Sequence, residues 1–337
     1  MIPEAGHSSL ICGFVMAEGR AGRPVGLTEA LQWLATPPAG DDSSGEFIWM
    51  HFNLSDATTE RWLQVHAKSL ELVPEFFEAL RQGSRSTRIE DADDRLIAVV
   101  NDVAFEFSFD PSEIATLWMS VSAHVVVSAR LHPLRSIDRL RRNVAEGLVV
   151  PSTAELLNRL LQDKADVLAV IVREATLKVD AVEDKLLGGQ LQSKRADLSH
   201  TRRVLVRLQR LLAPEPGSLF RLLRLPPPWM TDTDIDGLRQ SSEEFSLVLR
   251  DMAALQERIK LLQEEVAAQV SEQTNRSLFT LTIVNVLALP INIVAGLLGM
   301  NVGGIPMSQE PHGFAVIVAL VIAFTALAAW WAFRNRD

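Results

Sequence analysis

Two uncharged apolar runs near the end of the chain constrain it more than any other feature. They are Leu278 to Leu298 (LFTLTIVNVLALPINIVAGLL) and Gly313 to Phe333 (GFAVIVALVIAFTALAAWWAF). At 1.5 Å rise per residue, about 20 residues cross roughly 30 Å of hydrocarbon. A pair of buried helices in a soluble core is the competing reading, but neither run shows the polar face of a soluble surface helix. The runs therefore predict a two-helix membrane hairpin. Arg276 precedes the first run, Arg334 and Arg336 follow the second, and the connecting segment from Met300 to His312 has no Lys or Arg. That bias places both ends in the cytoplasm and the short loop outside. Trp330 and Trp331 fall where an interfacial aromatic belt would sit, and they suit packing equally well.

Charge is as lopsided as hydropathy. Beyond Ser277, Arg334 and Arg336 balance Glu310 and Asp337, so the net charge of −9 belongs to the part before the first span. An acidic domain of this kind attracts cations and argues against a nucleic-acid partner. With one cysteine, Cys12, the chain can form no internal disulfide and no thiolate cluster. The first residues, MIPEAGHSSLICGFVMAEG, lack a basic start and have Gly13 inside their apolar run, so they do not read as a signal peptide.

The two spans differ in character. The second is rich in Ala, Val, Ile and Leu, whereas the first contains Thr280, Thr282, Asn285, Pro290 and Asn292. Polar side chains are costly in hydrocarbon unless they face protein or water. Asn285 and Asn292 are two turns apart, Gly299 continues the series, and Leu278, Leu281, Ala288, Leu289, Ala295 and Gly296 flank it. Such a column suits a pore wall or close helix–helix packing. A single hairpin encloses nothing, so a pore requires an oligomer.

Upstream, no Gly or Pro interrupts Arg239 to Leu289. Phe245, Val248, Met252, Leu255, Ile259, Leu262 and Val266 repeat at alternating spacings of three and four, a seam that packs on another helix. The expected organisation is an α/β domain over residues 1–150 and a helical hairpin over 151–238, then a long stalk helix over 239–277. The first span covers 278–298, the external loop 299–312, the second span 313–333 and a cytoplasmic tail 334–337. Within the α/β domain, Glu46–Leu54, Arg95–Asn101, Val103–Phe109 and Ala115–Arg130 read as strands. Thr58–Leu70 and Val73–Arg81 read as helices. Ser152 or Thr153 opens a helix that Gly188-Gly189 breaks, a basic helix covers Ser193 to Leu212, and Pro214 to Pro228 reads as a turn.

No enzymatic signature is present: no phosphate loop, no paired-His zinc motif, no Gly-x-Ser-x-Gly. His51 and His124 fall in predicted strands and read as structural. Glu90, Asp91, Asp93 and Asp94 offer the oxygen ligands of a hard-cation regulatory site, with a solvated loop as the alternative. Lys194, Arg195, Arg202, Arg203, Arg207 and Arg210 read as a solvated helix face.

At the outer end of the polar-striped span stands Gly299-Met300-Asn301. With its short loop and following span, it resembles the CorA superfamily of divalent-cation channels and transporters. The segment GLLGMNVGGIPMSQEPHGFAVIVALVIAFTALAAWWAF is similar to the ZntB zinc-transporter branch. The resemblance implies a homopentamer in the bacterial inner membrane: an α/β cytoplasmic domain, a long-helix stalk and a two-helix transmembrane hairpin. It further implies that Gly299, Met300 and Asn301 ring the outer mouth as the selectivity motif and that Leu289, Asn292 and Gly296 line the pore, with Asn285 on the same stripe. Transported Zn2+ is then the substrate, with Cd2+, Ni2+ or Co2+ tolerated, no resident cofactor, and uptake coupled to a proton gradient; a magnesium/cobalt channel gated by cytoplasmic metal and a membrane-anchored scaffold or signalling protein are the alternatives. Glu310 and His312 would attract cations at the mouth, the imidazole favouring zinc. The chain departs from the magnesium branch in having Leu298 rather than tyrosine before the motif, and Val302-Gly303-Gly304-Ile305-Pro306 after it.

Overall fold

The computed structural model describes residues 9–35, 45–83, 87–110, 112–188, 195–300 and 311–334, excepting the side chains of 187, 195, 328, 329 and 331–334. The chain divides into two compact units, Met1–Leu262 and Gln263–Asp337.

The first unit is built on a sheet of seven strands: β1 (Leu10–Ala17), β2 (Arg20–Pro24), β3 (Phe47–Asn53), β4 (Arg88–Ala92), β5 (Arg95–Val103), β6 (Ile114–Val121) and β7 (Val125–Arg130). Their order is β2-β1-β3-β7-β6-β5-β4, antiparallel except for the central β3–β7 pair. Period-two alternation sends Phe47 and Trp49 to one face and Ile48, Met50 and Phe52 to the other. On the second face pack α1 (Leu27–Ala35), α2 (Thr59–Val65) and α3 (Pro74–Gln82), contributing Ala30, Leu63, Phe76 and Phe77. On the first pack α4 (Arg135–Ala145), the start of α5 (Thr153–Leu187) and α7 (Pro214–Leu222), through Ile137, Leu140, Leu157 and Leu219. The sheet is thus the middle of three layers.

Several expected elements differ from the structure. Val103–Phe109 forms no strand of its own: Val103 closes β5, and beyond it only Ala104 bridges to Leu134. His124 sits exposed in the turn before β7. The proline-rich segment after Leu212 begins as helix α7, because Pro214 at its first position needs no N–H partner there.

The remaining helices form the second core. α6 (Arg195–Leu212) and α8 (Asp232–Leu298) pack with α5 through Leu168, Ile171, Ala175, Val204, Leu205, Phe245, Met252, Leu255 and Ile259. The seam read from the three/four spacing is buried at Phe245, Met252, Leu255 and Ile259. Ser152 caps α5 by accepting from the Glu155 N–H at 3.0 Å, and its hydroxyl donates to Asp234 at 2.6 Å. α8 starts before Arg239 because Thr231 and Asp234 exchange bonds across its first turn: Thr231 N–H and Oγ1 donate to Asp234, and Asp234 N–H returns to Thr231 Oγ1. Gly237 lies inside the helix, where a Cβ would come 3.0 Å from Asn158 Nδ2.

In the second unit α8 stays helical through Pro290 to Leu298, and α9 (Gly313–Arg334) follows. α8 holds a stretch long and apolar enough to cross a membrane, with no part of it buried within the chain. It is therefore not a core helix of its own chain. The described apolar run of α9 covers Gly313–Leu327.

Candidate functional site

The first span presents two unlike faces. Ile283, Leu287, Pro290, Val294 and Leu298 are half-covered and recur at spacings of three and four. α9, the other described helix of this unit, has half-covered residues at Ile317, Val321 and Thr325. Asn285, Leu289, Asn292, Gly296 and Gly299 are all exposed. At 3.6 residues per turn they lie about half a turn around the axis from the half-covered row. The amide column is thus not the face the helix covers within its own chain.

Polar groups on the first span fall into two classes. Thr280 Oγ1 donates to the Arg276 carbonyl at 2.9 Å and Thr282 Oγ1 to the Leu278 carbonyl at 2.8 Å. Those hydroxyls are satisfied by their own helix and call for no pore. Asn285 and Asn292 make no side-chain hydrogen bond among the described residues, so their amides are available to a ligand, water or another subunit. Two unsatisfied amides in hydrocarbon would be costly unless water, an ion or another subunit meets this face.

The end of the span is shaped by glycine. Gly299 N–H donates to the Ala295 carbonyl at 2.9 Å, and a Cβ at Gly299 would stand 3.0 Å from that oxygen. Gly296 has open space around its missing side chain. Met300 is exposed. Asn301 and Glu310 lie outside the described residues. His312 is exposed at the start of α9, its carbonyl accepting from the Val316 N–H at 3.1 Å.

The acidic cluster does not assemble into a metal site. Glu90 and Asp91 are neighbours in β4 and point to opposite faces, pairing with Ile97 and Leu96 across the hairpin. Asp93 and Asp94 occupy its turn with φ of 52° and 59°, a conformation acidic residues tolerate. Asp93 and Asp94 accept through their backbone carbonyls, from Arg95 Nη1 at 2.9 Å and Trp229 Nε1 at 2.7 Å. Partial burial, then the charges of Asp94 and Asp93, push the Asp91 carboxyl upward. No group of three or more His, Cys, Asp or Glu among the described residues is placed to hold a metal ion. Within one chain Glu90, Asp91, Asp93 and Asp94 therefore form a hairpin turn, in keeping with the solvated-loop reading.

Comparisons with known proteins extend over this whole framework. Residues 44–334 match the family described as CorA-like Mg2+ transporter protein. The divalent cation transporter CmaX of Pseudomonas aeruginosa is 27% identical over 327 residues, covering 97% of this chain and 96% of that protein. The solved structure of full-length CmaX superposes with a TM-score of 0.79, covering 98% of this chain and 99% of that one. The zinc transport protein ZntB of Yersinia pseudotuberculosis is 24% identical over 295 residues, 87% of this chain and 89% of that protein. The CorA magnesium transporter of Methanocaldococcus jannaschii, at 17% identity, shares the fold with a TM-score of 0.74 over 97% of this chain and 98% of its own. The resemblance read from the membrane segment therefore holds over the α/β unit, the long helix and the second core alike, and the chain belongs to the CorA-like family of metal-ion transporters.

Proposed function

We propose that this protein is a homopentameric inner-membrane transporter that takes up Zn2+ through a central pore lined by the first span. The carrying observation is the exposed column of Asn285, Leu289, Asn292, Gly296 and Gly299, set opposite the half-covered face of the same helix. Five such columns facing one axis would present rings of amide oxygens, which compete with a hydration shell without trapping the ion. Gly299, Met300 and Asn301 would form the outer mouth, with Glu310 and His312 drawing cations toward it. The similarity to ZntB and the imidazole of His312 support zinc as the substrate, with Cd2+, Ni2+ and Co2+ as lesser ones. Both termini would lie in the cytoplasm. If protons are coupled, Glu310 and His312 are their candidate carriers, since the first span has no carboxylate or imidazole.

A second reading, a CorA-type magnesium channel, is favoured by that same absence: only oxygen donors line the column, and oxygen suits hard cations. Metal flux into proteoliposomes separates the two. Zinc entry abolished by Asn301→Ala and barely slowed by excess magnesium supports the zinc reading. Magnesium permeation with little zinc flux moves the protein to the channel reading. Zinc entry indifferent to an inward proton gradient removes proton coupling.

A further inference from the structure

In a chain of net charge −9, α4 is strongly basic, with arginine at 135, 139, 141 and 142. Arg135, Arg139 and Arg142 share one helix face and, with Phe105, Val167 and Val170, line a cleft of about 390 Å³. No carboxylate lines that cleft. Arg139 is already paired, 3.0 Å from Asp163 and 3.6 Å from Asp166. Arg142 lies over the Phe105 ring, 5.6 Å from its centroid, and its Nε donates to the Asp138 carbonyl at 3.4 Å. Neither Arg135 nor Arg142 has a carboxylate within 4.0 Å among the described residues. Like charges three and four residues apart on a helix are destabilising. Their concentration around one concavity therefore has a stability cost that a bound anion would relieve.

The cleft is preformed. Phe105 N–H donates to the Pro133 carbonyl at 3.1 Å, and Ala104 bridges to Leu134, which fixes the segment beside the start of α4. The Phe105 and Val170 side chains are 43% and 46% exposed, so the floor offers apolar surface to a ligand. The positive end of α4 needs no help from such a ligand, because Asp102 already accepts from Ser136 N–H. What remains at the cleft is a pair of guanidinium groups, Arg135 and Arg142, with no carboxylate partner among the described residues. Guanidinium forks match phosphate oxygens in geometry and charge, and an aromatic floor suits a planar body. The volume falls in the range of small-molecule sites.

We infer that the α4–α5 cleft binds an organic phosphate, the phosphate bridging Arg135 and Arg142 and the planar or apolar body resting on Phe105 and Val170. Nucleotides carry this chemistry, and the probe set is ATP, inorganic phosphate and adenosine, each without divalent cation. Isothermal titration of the detergent-solubilised full-length protein should show ATP binding, weaker phosphate binding and no binding of adenosine. Arg135→Gln with Arg142→Gln should lower ATP affinity at least tenfold without lowering the melting temperature of the ligand-free protein. Phe105→Ser should weaken ATP severalfold and leave phosphate unaffected. Equal ATP affinity in wild type and the double variant, or no ATP binding at millimolar concentration, overturns the site. Loss of the oligomer in the double variant, read by native mass spectrometry, also overturns it by making the cleft a subunit contact.

Discussion

Lys164 of α5 holds its ammonium 2.6 Å from Oε1 and 2.5 Å from Oε2 of Glu215 on α7, with 1% and 0% of the two side chains exposed. The ammonium also lies 5.3 Å from the centroid of the Phe245 ring on α8. Asp102, at the end of β5, accepts from Ser136 N–H and Oγ and from Val103 N–H, and burial pushes its carboxyl upward against the pull of Lys164. Sheet, α4, α5, α7 and α8 thus meet at a dry polar junction. Removing one partner strands a buried charge, whereas replacing both with apolar residues of similar size need not destabilise.

Lys164→Met alone should therefore lose about 3–5 kcal/mol of stability, and Lys164→Met with Glu215→Leu should recover most of it. Thermal melts of the detergent-solubilised full-length protein read both. Equal losses in the single and double variants would show that the junction acts only through packing.

His51 makes the first unit acid-sensitive. Its Nδ1 lies 2.8 Å from Ser128 Oγ, and its Nε2 has no partner among the described residues. Burial, reinforced by Arg130 and Arg141, lowers its pKa from 6.5 to about 3. The folded ring stays neutral while the unfolded chain takes up a proton below pH 6.5. Stability from this group is complete above that pH and declines as pH falls toward 3, by up to about 1.4 kcal/mol per unit. His51→Gln keeps a polar partner for Ser128 and does not titrate. It should flatten the fall in melting temperature between pH 6.5 and 4, and parallel curves would clear His51 of the effect.

The parts of this architecture that are legible in sequence are those with a period. The seam through Phe245, Met252 and Ile259 and the amide series at Asn285, Asn292 and Gly299 follow from spacing alone, because helical contacts are local. β1 escaped because Gly13 interrupts its apolar run. Its reason is tertiary: a Cβ there would meet the Val25 carbonyl oxygen at 2.7 Å, and Val25 N–H donates to the Gly13 carbonyl. Strand order, with β3 against β7, rests on contacts between residues 77 apart, such as Ile48 and Val125, that no local pattern encodes. Residue type alone left Glu90, Asp91, Asp93 and Asp94 open between a cation site and a solvated loop, because it does not say that strand neighbours face opposite ways. It likewise counted Thr280 and Thr282 as polar groups in need of a partner, when each hydroxyl bonds the carbonyl four residues back.

Gly299 sits where the helix ends, and its hydrogen atom faces the Ala295 carbonyl. Gly299→Ala would place a Cβ 3.0 Å from that oxygen, so the last turn must shift by a few tenths of an ångström. If the proposed zinc pore is right, metal flux should fall at least tenfold, with the oligomer intact on native mass spectrometry. Gly296→Ala meets nothing within 4 Å and should leave the fold unstrained. Full flux through Gly299→Ala would show that the turn tolerates the displacement and would remove Gly299 from the proposed mouth.

The two faces of the first span give the sharpest test of pore against packing. If the amide column is a pore wall, Asn285→Leu and Asn292→Leu remove cation-facing oxygens while leaving every described hydrogen bond in place. Flux should then drop by an order of magnitude or more, while the melting temperature holds or rises as two unpartnered amides leave the apolar span. If the column is instead an interface between helices, the same changes should loosen the oligomer and lower the melting temperature along with flux. Val294→Asn, on the half-covered face, is the control. It puts an amide on the half-covered apolar face and should destabilise the protein by about 1–3 kcal/mol. Flux lost without stability at Asn292, and stability lost at Val294, together assign the column to the ion path.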